Sequence, residues 1–68
     1  MTNGYLIKIV SSKYLYDVAI ENHVILSPGV VLFVISELDS TLLCLSSEGR
    51  YGSIWKDVND CGFSYERL

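Results

Sequence analysis

No window of eleven residues in this 68-residue chain repeats its apolar side chains with a helical period. The apolar residues gather instead in short runs rich in Val, Ile, Tyr and Phe, each closed by Ser, Asn, Gly or Pro. β-branched and aromatic side chains suit a pleated, half-buried surface, so such runs read as strands. The expected strands cover positions 5–10, 13–20, 24–26, 30–36, 41–46, 50–55 and 63–68. Ser27-Pro28-Gly29 turns the chain, because Pro presets φ and Gly tolerates positive φ. Ser47-Glu48-Gly49 makes a tight hairpin. Glu21-Asn22-His23 reads as a loop. Asp57-Val58-Asn59-Asp60 suits a single helical turn, since Asn and Asp compete for nearby backbone hydrogen bonds.

Size and composition bound the rest. A chain this short hides only about 60% of its unfolded surface, which rules out a two-domain enzyme and leaves little room for a deep catalytic cavity. One domain, 1–68, is expected. Half of the residues are hydrophobic and 19% charged, with mean hydropathy +0.34, which excludes intrinsic disorder. Eight acidic residues face five basic ones, giving a net charge of −3 and pI near 4.7, which argues against a generic phosphate-backbone binder. Met1-Thr2-Asn3-Gly4 shows no secretory pattern, and the longest apolar run, 30–35, is far too short for a membrane helix. The expectation is a cytoplasmic protein without a membrane anchor, whose Cys44 and Cys61 are free thiols.

The order of the motifs resembles a Src-homology-3 (SH3) domain. Leu15-Tyr16-Asp17, then eight residues, then Leu26-Ser27, is similar to that family's Ala-Leu-Tyr-Asp-Tyr strand, long loop and Leu-Ser-Phe strand. Gly29-Val30-Val31-Leu32-Phe33-Val34-Ile35 is similar to its Gly-Asp strand, and Gly49-Arg50-Tyr51-Gly52-Ser53-Ile54 to its Gly-Arg-x-Gly-x-Ile hairpin. The likeness covers about three quarters of the chain. It implies an all-β, SH3-like barrel of five or six short antiparallel strands, with one helical turn before the last. The departures bear on function. No Trp stands at Thr41-Leu42-Leu43, Trp55 replaces the proline after the hairpin, and Val18 replaces the second tyrosine of the opening motif. A groove for polyproline needs those aromatic walls, so recognition of PxxP segments is not expected.

Catalytic and metal chemistry find little to stand on. His23 is the only histidine and sits beside Glu21 and Asn22 as a solvated group. Cys44 alternates with Leu43 and Leu45 as a small apolar residue, and Cys61 lies beside an acid that would raise its thiol pKa. Positions 23, 44 and 61 lack the close pairing of a structural zinc site. Glu37, Asp39, Asp57 and Asp60 do not make an EF-hand, and the hairpin lacks the Lys-Ser/Thr of a phosphate loop. No cofactor, metal or enzymatic activity is expected. The alternative is a nucleic-acid-associated barrel using Arg50, Tyr51, Trp55 and Lys56, which combine charge with stacking surfaces.

The segment 30–35 is apolar at every position, although a strand with one wet face should alternate. The register implied by the resemblance turns Val30, Leu32 and Val34 inward against Leu43, Leu45 and Ile54. Parity then turns Val31, Phe33, Ile35, Leu42 and Cys44 outward. Either the N-terminal strand folds over this face, or the face meets a partner, for which a homodimer is the simplest form. The expected function is a non-enzymatic protein-interaction module, an accessory or regulatory factor. Its length resembles that of small phage or mobile-element proteins that modify host machinery. Its contact residues are expected to be Val31, Phe33, Ile35, Leu42, Tyr16, Tyr51 and Trp55.

Overall fold

The computed structural model describes residues 4–57 and 64–68. Seven antiparallel strands run β1 Tyr5–Ile9, β2 Lys13–Asp17, β3 Asn22–Leu26, β4 Val31–Glu37, β5 Thr41–Ser46, β6 Tyr51–Trp55 and β7 Tyr65–Arg67. They form one sheet in the order β3-β2-β6-β5-β4-β1-β7. Most of the expected helical turn, with Cys61, falls at positions 58–63, outside the described residues. Among the described residues there is no helix, and hence none long and apolar enough to cross a membrane.

β1 and β2 are separated in sequence only by positions 10–12, yet they lie toward opposite ends of the ladder. The sheet must therefore curl back on itself, and its concave face closes over one core. Ile7 and Ile9 of β1, Leu15 of β2, Leu26 of β3, Leu32 and Val34 of β4, Leu42 and Cys44 of β5, and Ile54 of β6 fill that core. The curl stops short of a closed barrel: the hydrogen-bonded ladder ends at β3 on one side and β7 on the other.

Turn chemistry works as the sequence demands. Gly29 and Gly49 sit at φ +98° and +88°, a region where a Cβ is strained. In the second hairpin Ser46 N–H donates to the Arg50 carbonyl, and the Ser46 hydroxyl accepts from the N–H groups of Glu48 and Arg50.

Seven strands stand where the resemblance implied five or six, and four further expectations change. β2 stops at Asp17 rather than running to position 20, because the Asp17 carboxylate accepts the Ala19 N–H at 2.9 Å and Glu21 takes φ 53°, turning the chain into β3. His23 accordingly belongs to β3, opposite Tyr16, not to a loop. The N-terminal strand does not fold over the apolar face. It adds edgewise to β4, with Leu6 opposite Phe33 and Ile7 opposite Leu32.

The fourth change concerns β5, whose parity is reversed. Leu42 and Cys44 point inward, at 2% and 0% exposure, while Leu45 faces out. The pairing Phe33 with Leu45 and Val34 with Cys44 fixes this, and a bulge at Ile35 then sets Ser36 opposite Leu43. A one-residue offset in register moves every side chain to the other face. Leu42 is thus a core residue and leaves the set of contact candidates.

Candidate interaction surface

The register of four adjacent strands assembles an apolar row across the convex face. Leu6 of β1 lies directly opposite Phe33 of β4, Phe33 opposite Leu45 of β5, and Leu45 opposite Tyr51 of β6. Directly paired residues in an antiparallel sheet share a face at about 4.5–5.5 Å between Cα atoms, so this row is continuous. Its members are 45, 41, 39 and 39% exposed. Two further hydrogen bonds extend it, from Val18 N–H to the Tyr51 carbonyl and from Leu68 N–H to the Leu6 carbonyl, bringing exposed Val18 and Leu68 to either end. Val31 and Ile35 flank Phe33 on the same strand face.

Sequence reasoning placed Val31, Phe33, Ile35 and Tyr51 on this surface but missed Leu6 and Leu45. Leu6 carried a usable signal: it sits between residues that alternate inward, so its apolar side chain had to face water. Leu45 carried none, because positions 42–45 are apolar throughout and cannot report their own parity.

The row borders an open groove of about 930 Å³, lined by its own Leu6, Phe33 and Leu45, by Val31, and by Val24, Ile25 and Leu26 of β3. A smaller hollow of about 400 Å³ collects Tyr14, Tyr16, His23 and Trp55. There the His23 ring meets Tyr16 edge-on at 5.2 Å and Tyr14 at 6.2 Å. Tyr16 and Trp55 therefore share a separate aromatic site rather than joining Phe33. Tyr14 and His23 complete it, and their role became visible only once β3 was paired with β2.

The polar groups around these surfaces are mostly engaged. Arg50 Nη1 bonds buried Asp17 Oδ2 at 2.7 Å. That hydrogen bond holds the Asp17 carboxyl below its usual range, against the opposing effect of desolvation. Lys56 Nζ stands 3.8 Å from Glu37. The Tyr5 hydroxyl also donates to Glu37, and burial together with that bond pushes its pKa up to about 12. The four residues of the nucleic-acid alternative thus comprise two cations already beside carboxylates and two rings, Tyr51 and Trp55, on one face of β6.

Lys13 donates to the Trp55 carbonyl and the Ser64 hydroxyl, both at 2.6 Å, and approaches Asp57 at 3.3 Å. The Ser64 hydroxyl and N–H both donate to Asp57. Burial raises the Asp57 pKa, but the Ser64 bonds and the Lys13 charge together outweigh it and leave it lowered. This cluster ties the start of β2 to the end of β6 and the entry to β7. Lys13, Asp57 and Ser64 line neither hollow.

Set beside protein-family models, curated proteins and solved structures, the chain matches none of them.

Proposed function

We propose that this small all-β domain is a non-enzymatic protein-interaction module, an accessory or regulatory factor that meets its partner through the convex apolar row. One observation carries the reading: Leu6, Phe33, Leu45 and Tyr51 line up across four paired strands and remain 39–45% exposed. Contiguous apolar surface on this scale is seldom left bare. The aromatic hollow of Tyr14, Tyr16, His23 and Trp55 adjoins it as a secondary contact. The curl of the sheet and the order of its turns support kinship with SH3-like barrels. The altered aromatic set supports a ligand other than polyproline.

Affinity capture from the native cell tests this, with wild type and Phe33→Glu as parallel baits. Proteins held by the wild type and lost from a folded Phe33→Glu bait are the expected result. The same proteins on both baits would refute the reading.

A further inference from the structure

The register of β1 against β4 brings a glycine under the central ring of the row. Leu6 stands directly opposite Phe33. Gly4, two residues before Leu6, therefore faces the same side as a diagonal neighbour of Phe33, within reach of an aromatic side chain. A Cβ built at Gly4 would overlap Phe33 Cζ and lie 2.7 Å from both Cε atoms. Carbon atoms pack at about 3.5–4.0 Å, so any side chain at position 4 must displace that ring.

The obstacle differs in kind from the one at Gly52. There an added Cβ meets the Tyr16 backbone, and two strands must part. At Gly4 the three nearest atoms all belong to the far end of one side chain. The ring can leave by rotating about its own χ angles, and the sheet stays as it is.

We propose that Gly4 is a positioning residue of the contact surface, whose bare Cα is the notch that seats the Phe33 ring across the start of β1. The inference rests on the reading of the row as a contact surface and goes further, naming the residue that orders its central ring. Phe33 is flanked in the row by Leu6 and Leu45 and is 41% exposed. A half-exposed ring free to rotate loses that freedom when a partner binds, whereas a ring already seated has less to lose. A methyl group at position 4 drives the ring off β1. The space open to it is the groove lined by Phe33, Val31 and Leu45, where it would obstruct the surface that the partner meets.

A double-mutant cycle over positions 4 and 33 tests this, using wild type, Gly4→Ala, Phe33→Leu and the combined variant. Leucine keeps position 33 apolar but lacks the ring tip that reaches Gly4. In the wild type, proton NMR should find a Gly4 α-proton shifted upfield by the ring current of Phe33. Gly4→Ala should keep the circular dichroism of the wild type and a nearby urea midpoint. It should displace the Phe33 ring resonances and weaken capture of the Phe33-dependent proteins about three- to tenfold. In the Phe33→Leu background the same change should be silent.

Ring resonances that stay in place in Gly4→Ala, or capture unchanged by it, overturn the inference. So does an equal loss in both backgrounds, which would trace the glycine to the backbone instead of the ring. The reading of the row fails separately, if Phe33→Glu holds the same proteins as wild type, and this inference then falls with it. Proteins lost from Phe33→Glu but kept by Gly4→Ala refute the inference alone.

Discussion

At the scale of single residues, two glycines and one ion pair set the sharpest constraints. Gly49 at φ +88° has open space around it, so only backbone strain opposes a side chain there. Gly49→Val should destabilise by about 1 kcal/mol or more, read from the urea midpoint. Gly52 is the opposite case: a Cβ there would overlap the Tyr16 carbonyl where β2 crosses β6. Gly52→Ala should cost about 1–3 kcal/mol by forcing the strands apart.

Asp17 gives a pH signature. Its carboxyl is lowered from 3.8 in the fold, chiefly by Arg50. The stability it contributes is complete above the unfolded value and is lost as pH falls through the native one. Acid titration of stability should therefore flatten in Asp17→Asn. Cys44 is a free, buried thiol whose desolvation pushes its pKa up to about 11. It should resist iodoacetamide in the native state and react in urea.

At the scale of elements, β5 shows where reading from sequence stops. Its ends, 41–46, were legible, because polar residues and a glycine-containing turn bracket them. So were the turns at Gly29 and Gly49, where residue chemistry alone forces the backbone. Its parity was not legible. Four consecutive apolar residues fit either face, and the choice fell to the pairing of Phe33 with Leu45 and Val34 with Cys44, which no local pattern announces. Leu42→Ala should cost about 2–5 kcal/mol as a cavity in the core. Leu45→Ala, at 39% exposure, should stay within about 0.5–1 kcal/mol of wild type in the same denaturation. Reversed costs would restore the parity expected from sequence. β3 was half legible: the apolar positions 24–26 were evident, but His23 was assigned to a loop, since its place depended on the early turn that Asp17 caps.

At the scale of the whole molecule, the apolar run 30–35 announced that something must contact both faces of β4. Topology sets β1 beside β4 rather than over its convex face, with Gly4 against the Phe33 ring. Half of the row could be named in advance, because Phe33 and Tyr51 stood out within their strands. The other half, Leu6 and Leu45, exists as a surface only through pairing between strands distant in sequence. The central claim is that this row is outward and is a site of association. Sedimentation velocity and circular dichroism of the double variant Phe33→Glu, Leu45→Lys, run beside wild type, test it most directly. The prediction is a double variant with an unchanged β-sheet spectrum that no longer associates with itself or its partner. A double variant that unfolds would place the row in the core, and one that stays folded with wild-type mass and partner binding would show that the row is no interface.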